Sequence, residues 1–400
     1  METRKGAALV VLLATQLMVI LDGTVVNVAL PAVRDDLGFG AAGLSWVVNG
    51  FFVAFAVLLL PAGRLGDVVG ARRVFLAGLA VFTVASALCG VATSPAFLVG
   101  ARVVQGAGGA LTTAVVLGMV ARLYDDEAGR ARGFALAAFV GSAGASIGTV
   151  AGGVLVDTAT WRWVFGVNVP IGVVVLAAAL VVVPRDEPTG ASGGRVRALL
   201  TDTRFLLPNA VLFTMTVAGF SFQFLTALYL QDTLGLDALH TGLAYLPVTL
   251  AIAVASLGLS GRLASRYGAE RVLVGGLLLF VAGMVSMAEL PDQGSYAVHV
   301  APGFVVMGAG FGLAMPQVTT LAMRAAPAAH AGVASGFVNT TQQAGGAVGL
   351  AVVATVAAAE GRATGFLLAA GALAAGALVA SYLAGAARGR CASTPTLEGC

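Results

Sequence analysis

The chain has 400 residues, 58% of them hydrophobic and only 10% charged, with a formal net charge of +3. Soluble domains carry about 25% charged residues, so this chain cannot cover a water-facing surface, and its mean hydropathy of +0.95 points to a membrane protein. The positive surplus is too small to indicate a nucleic-acid partner, and Cys89, Cys391 and Cys400 make neither a metal nor a disulfide spacing.

A membrane helix needs about 20 mainly apolar residues. On that measure, spans are predicted near 7–30, 43–62, 74–94, 96–120, 133–156 and 164–184. They resume near 208–231, 241–261, 272–290, 296–321, 332–357 and 364–386. The first run is too long for the apolar region of a cleavable signal peptide, so it is expected to be retained. Six spans per half predict an all-α membrane fold of two six-helix bundles, residues 1–184 and 208–387. A cytoplasmic linker at 185–207 joins them, and a polar tail occupies 388–400. With the N-terminus placed in the cytoplasm, 18 of the 22 Lys and Arg fall inside. Arg34, Arg162 and Arg362 fall outside, and Arg102 lies within a span. Positive residues favour the cytoplasmic side, so both termini are predicted there.

Two charges stand inside the membrane: Asp22 in span one and Arg102 in span four. Such residues are costly and mark function by default. Counted from Pro31 and Pro95, they lie about 13 Å and about 10 Å below the same surface, level enough to interact. Two readings follow. Asp22 takes up a proton on one side and releases it on the other, tuned by the cation; or the two form a static ion pair that ties helices together.

Between spans two and three runs Gly63-Arg-Leu-Gly-Asp-Val-Val-Gly-Ala-Arg-Arg73. Gly63, Gly66 and Gly70 suit a tight turn and close helix approach. Asp67 suits the N–H groups at the start of the next helix, while Arg64, Arg72 and Arg73 suit carboxylates on a neighbouring loop. The stretch reads as a cytoplasmic latch or as a plain positive-inside loop. A weaker copy, Gly261–Arg271, lies 198 residues on, and Gly106-Ala-Gly recurs as Gly308-Ala-Gly at 202. Two related halves follow from this self-similarity, although Ser265 stands where the copy would need an acid.

In span five, Gly144, Gly148 and Gly152 recur every four residues, a small-residue face for close helix packing or for control of the seam between bundles. Span eleven offers Gly332, Gly336, Gly345 and Gly349 in the same style. Asn27, Asn49, Gln105, Phe222, Gln223, Asn339 and Gln342 are candidates to line a substrate cavity, though polar side chains equally bond one another across helices. Trp161 and Trp163 read as an interfacial belt. No metal set, nucleophile–base pair or nucleotide-binding signature is evident, so neither an enzyme nor an ATP-driven pump is expected.

The whole pattern resembles the major facilitator superfamily. Gly63–Arg73 resembles its loop between spans two and three, and Arg102-Val-Val-Gln-Gly-Ala-Gly-Gly-Ala110 its span-four motif. Leu21-Asp-Gly-Thr-Val-Val-Asn-Val-Ala-Leu-Pro31 is similar to the first-span motif of the drug:proton antiporters usually built with fourteen spans. Trp161–Gly172 and Ala334–Gln343 fit the same group. The resemblance implies Asp22 as protonation site, Arg102 as its modulator, Asp67 as the latch acid and span five as the antiporter helix. The chain departs from the pattern at Gly148-Thr149, where the family has Gly-Pro, at Val68, where it has a basic residue, and in lacking the extra central pair of spans. The expectation is a proton-coupled exporter of small organic compounds working by alternating access, with protons as coupling ion and no other cofactor. It would act as a monomer in a bacterial inner membrane. The rival is a proton symporter or uniporter for a nutrient or metabolite.

Overall fold

A computed structural model describes residues 2–39, 41–124, 126–158, 160–185, 201–236, 238–291, 294–327 and 330–393. Most of the predicted linker and the end of the tail lie outside the described residues, and of Asn27 and Gly152 only the backbone is described. Every regular element among those described is helical. In lipid no water can satisfy a backbone group, so each apolar run must close its own hydrogen bonds as a helix.

The first half comprises α1 Glu2–Leu37, α2 Ala41–Val69, α3 Ala71–Gly90, α4 Pro95–Leu123, α5 Glu127–Thr158, the short α6 Arg162–Gly166 and α7 Asn168–Val182. The second comprises α8 Thr203–Leu228, α9 Ala238–Ala244, α10 Leu246–Ala253, α11 Gly261–Tyr267, α12 Ala269–Ala288, α13 Ala301–Arg324, α14 Ala331–Glu360 and α15 Arg362–Ser393. Wide π-turns at Tyr229–Thr233, Val254–Ser260 and Tyr296–Val300 continue α8, join α10 to α11 and lead into α13. Eleven segments among the described residues are long and apolar enough to cross a membrane. The predicted fifth span lies inside the 32-residue α5.

Several boundaries move. Helix α1 runs through Pro31 to Leu37, and α15 continues to Ser393. Helix α8 begins at Thr203, inside the segment expected to be linker, where Asp202 accepts from the Arg204 backbone N–H at 2.8 Å. The sixth span breaks at Val167, between α6 and α7. The glycine-rich stretch is mostly not a loop, since α2 extends to Val69 and α3 starts at Ala71. The turn is Gly70 alone, at φ +108, and its counterpart 198 residues later is Gly268 at φ +88. Only glycine adopts such angles without strain, and both copies have glycine at this position.

Packing repeats as well. A Cβ on Gly78 would lie 2.8 Å from the Gly108 carbonyl oxygen, so α3 and α4 touch backbone to backbone. In the second half a Cβ on Gly276 would lie 2.9 Å from the Gly310 carbonyl oxygen, and α12 and α13 meet in the same way. The described chain divides into two compact units. One holds Met1–Leu199 with Asp237–Leu243 and Ala326–Thr340, and the other holds Leu200–Leu236, Ala244–Ala325 and Thr341–Cys400.

Within the first unit alternate connections gather at opposite ends. At one end Arg162 pairs with Asp36 at 2.6 Å and donates to the Ala92 carbonyl at 3.1 Å, drawing together the last turn of α1, the residues after α3 and the start of α6. At the other, Arg4 donates to the Val181 carbonyl at 3.1 Å, and Arg72 donates to those of Val183 and Leu180 at 3.1 and 2.7 Å. This is the arrangement of helices that cross in alternating directions.

Candidate functional site

Asp22 on α1 and Arg102 on α4 meet directly: Arg102 Nη1 lies 2.5 Å from Asp22 Oδ2, with both side chains fully buried. The pair sits in a larger buried network. Gln105, one helical turn beyond Arg102, donates Nε2 to Asp22 Oδ1 at 2.7 Å and to Ser86 Oγ at 2.8 Å. Its Oε1 accepts from Arg102 Nη1 at 2.6 Å and from Cys89 Sγ at 3.6 Å. Asn168 donates Nδ2 to Asp22 Oδ1 at 2.9 Å. Three donors therefore address one carboxylate, the hydrogen-bond set that suits its ionised form.

Arg102 is held by more than the acid. Its Nε donates to the Val47 carbonyl at 2.8 Å. Its guanidinium lies over the rings of Phe51 at 4.5 Å and Phe165 at 5.4 Å. A cation desolvated against aromatic faces gains about 2 kcal/mol, which offsets part of its burial. Its Nη2 has no hydrogen-bond partner among the described residues. The cluster thus draws on α1, α2, α3, α4, α6 and α7.

The break at Val167 is part of this design. It ends α6 just after Phe165 and starts α7 with Asn168, so residues three apart, on either side of the break, present a ring to the cation and an amide to the anion. Gln105, expected in the cargo cavity, stands at the ion pair instead. Asn168, Ser86, Phe51 and Phe165 carried no expectation. Asn168 was visible as an amide opening an apolar run, but nothing in the spacing tied it to Asp22.

Asp67 forms a second buried cluster. Its Oδ1 accepts from the Gly332 backbone N–H and its Oδ2 from that of Val333, both at 2.8 Å, and Arg122 Nη2 lies 3.7 Å from Oδ1. The expectation named the next helix in sequence; these two bonds go to the first turn of α14, 265 residues away. A carboxylate at a helix N-terminus satisfies otherwise orphan donors and meets the positive end of the helix dipole. The glycines make the approach possible. A Cβ on Gly332 would lie 2.5 Å from the Gly63 carbonyl oxygen, and one on Gly336 would lie 2.8 Å from that of Leu59. Gly63 therefore serves close packing within α2 rather than a turn. Gly66 packs against Val115.

The flanking arginines bind differently from expectation. Arg72 caps carbonyls at the C-terminal end of α7 where carboxylates were anticipated, and Arg73 reaches the Val69 carbonyl at 3.5 Å. Arg64 is exposed.

In α5, Gly144 and Gly148 face α1. A Cβ on Gly144 would lie 2.9 Å from Leu17 Cδ1, and one on Gly148 would collide with Thr24 Oγ1. These glycines pack against the helix that carries Asp22.

The cavity candidates are not one set. Asn49 and Gln223 are exposed, while Asn339 and Gln342 are half-buried. Asn339 donates to the carbonyls of Thr113 at 3.3 Å and Ser335 at 2.9 Å. Phe222 belongs to an aromatic cluster with Tyr245 and Phe304, whose ring centroids lie 6.1 and 5.2 Å away. Trp163 is exposed as a belt residue should be, but Trp161 is buried and donates to Asp36 at 3.1 Å.

Known proteins share both sequence and fold with this chain. The family model described as Major Facilitator Superfamily matches residues 12–350. The puromycin resistance protein pur8 of Streptomyces alboniger is 34% identical, over 89% of this chain and 82% of its own. The cephamycin export protein CmcT of Amycolatopsis lactamdurans is 34% identical over 87% and 84%. The multidrug resistance protein Stp of Mycobacterium tuberculosis is 32% identical over 88% and 76%. The crystal structure of the human organic anion transporter MFSD10 superposes with a TM-score of 0.77 at 16% identity, covering 94% of this chain and 99% of that one. The all-helical fold, the repeated glycine contacts and these matches lead to one conclusion: the chain belongs to the Major Facilitator Superfamily and is a multi-pass membrane transporter.

Proposed function

We propose that the protein exports small organic compounds of the antibiotic or drug type across a bacterial inner membrane in exchange for protons, acting as a monomer by alternating access. The observation that carries the reading is the buried Asp22, addressed by Arg102, Gln105 and Asn168. Three relatives whose names specify antibiotic resistance or drug export support the cargo class.

Neutralising Asp22 by a proton removes the charge that Arg102, Gln105 and Asn168 hold. Arg102 then still keeps Gln105, the Val47 carbonyl and two aromatic faces, so it is not stranded. Contacts that α1 makes through Asp22 weaken while α4 stays anchored. Proton arrival from outside and release inside would thereby favour opposite-facing states. The bonds from Asp67 to the start of α14 act as a latch for one of those states, on the face that loop charges assign to the cytoplasm. Phe222, Tyr245 and Phe304 offer aromatic surface suited to amphipathic cargo.

The experiment uses inverted vesicles with an imposed pH gradient and puromycin as probe. The expected result is uptake driven by an acidic lumen in the wild type and its absence in Asp22→Asn, with both proteins inserted equally. Full gradient-driven transport in that variant would sink the assignment. Opposite flux would establish the symporter reading.

A further inference from the structure

A cavity of about 580 Å³ opens among Arg4, Lys5, Arg72 and Arg185, with Leu180, Val181, Val183 and Pro184 as its apolar wall. All eight residues belong to the first compact unit, and none of them is acidic. The volume falls within the range of about 300–1,000 Å³ usual for small-molecule sites. We propose that this cavity binds the phosphate headgroup of an anionic glycerophospholipid.

Its depth argues for a lipid. Membrane-crossing segments begin at Arg4 and Ala71 and end at Val182, so the four cations stand where three spans leave the hydrocarbon on the face that holds the N-terminus. That is the level of lipid phosphates. Basic pockets between helices at this level recognise anionic headgroups. Two of the cations are pre-positioned. Arg4 is fixed on the Val181 carbonyl and Arg72 on those of Val183 and Leu180, so little side-chain entropy remains to be lost on binding. A guanidinium has five N–H donors in a fixed fork suited to phosphate.

The wall supplies the second half of the argument. Leu180 and Val181 are 55% and 70% exposed although both lie in a span, and they offer an acyl chain its path from the headgroup into the bilayer. A site for free phosphate needs cations but no such wall. The positive-inside tendency accounts for basic residues on this face; it does not require four of them to converge on one cavity. Occupancy would tie α1, α3 and α7 together at the end opposite the Asp36–Arg162 pair.

The test uses the full chain purified into detergent and measured by native mass spectrometry, with phosphatidylglycerol and phosphatidylcholine added separately. One tightly retained phosphatidylglycerol is expected on the wild type, with no matching phosphatidylcholine. In R4Q/K5Q/R185Q its affinity should fall roughly 100-fold, at about one unit of surface attraction per cation removed. The charge-preserving R4K/R185K should retain it. If the triple variant does not fold, R185Q alone decides, with a roughly 5-fold loss expected. Equal retention by wild type and variants would overturn the site. Displacement of the lipid by millimolar inorganic phosphate with no lipid preference would overturn the lipid assignment in favour of a free-anion site.

Discussion

Asn168 donates its side-chain amide to Asp22 Oδ1 at 2.9 Å, joining residues 146 apart in sequence. It does so from the first residue of α7, beyond the break at Val167. The interruption in the sixth span thus delivers a donor to the buried acid.

Replacing Asn168 by Ala removes one of three donors from a buried carboxylate. An unsatisfied buried partner costs about 1–3 kcal/mol. Gradient-driven transport in vesicles should drop roughly tenfold, while Asn168→Gln, which keeps an amide, should retain part of it. Unchanged transport in Asn168→Ala would remove the residue from the coupling network.

Asp67→Asn keeps the shape of the side chain but loses the charge that two backbone N–H groups and Arg122 address. The loss at a helix N-terminus is worth about 1 kcal/mol, up to about 2 in a partly buried setting. Thermal unfolding of the purified protein should shift down by that equivalent. Ser265→Ala, at the matching position of the second half, bonds only to the Arg262 carbonyl among the contacts described and should leave the melting curve unmoved.

Gly108→Ala and Gly310→Ala test the repeated packing. Each added methyl would meet a neighbouring helix backbone, at Phe82 and Phe280 respectively. Overpacking of this kind costs about 1–3 kcal/mol. Both variants should lose a similar share of folded protein in a fluorescence size-exclusion assay. Gly275→Ala, with open space around it, is the control and should behave as wild type.

Asp36 gives a pH prediction at the opposite end from the cavity among Arg4, Lys5, Arg72 and Arg185. Its carboxyl is held below the ordinary range, first by the hydrogen bond from Arg162 and then by that from Trp161. A depressed folded-state value means that this group's contribution is complete above the unfolded value of about 3.9. It is lost as pH falls through the folded value. Asp36→Asn should therefore reduce the acid sensitivity of unfolding below about pH 4, and its melting temperature should vary less with pH there than that of the wild type.

Much of the architecture was legible in the residues. Apolar runs of span length and the glycine copies 198 residues apart led to an all-helical membrane fold with an internal repeat without any tertiary information. The depths counted from Pro31 and Pro95 placed Asp22 and Arg102 at one level, and they touch. Gln105 was misplaced because spacing along α4 says that it lies beside Arg102, not whether it turns toward cargo or toward the charge. Asp67 was aimed at the wrong helix because a sequence shows only the nearest helix start. Trp161 and Trp163 differ by two positions, yet one is buried and the other exposed, since α6 begins between them and turns them apart.

The sequence by itself determined what lipid and charge demand locally: helices wherever the chain is apolar, glycine where φ must be positive, and ionisable residues in spans only at a functional cost. The tertiary structure alone decided partners. Which helix start receives Asp67, which amides complete Asp22, and which four cations surround one cavity are contacts between residues tens to hundreds of positions apart. Helix rotation and tilt set those contacts, and backbone packing at glycines such as Gly63, Gly108 and Gly332 fixes that geometry only once the chain has folded.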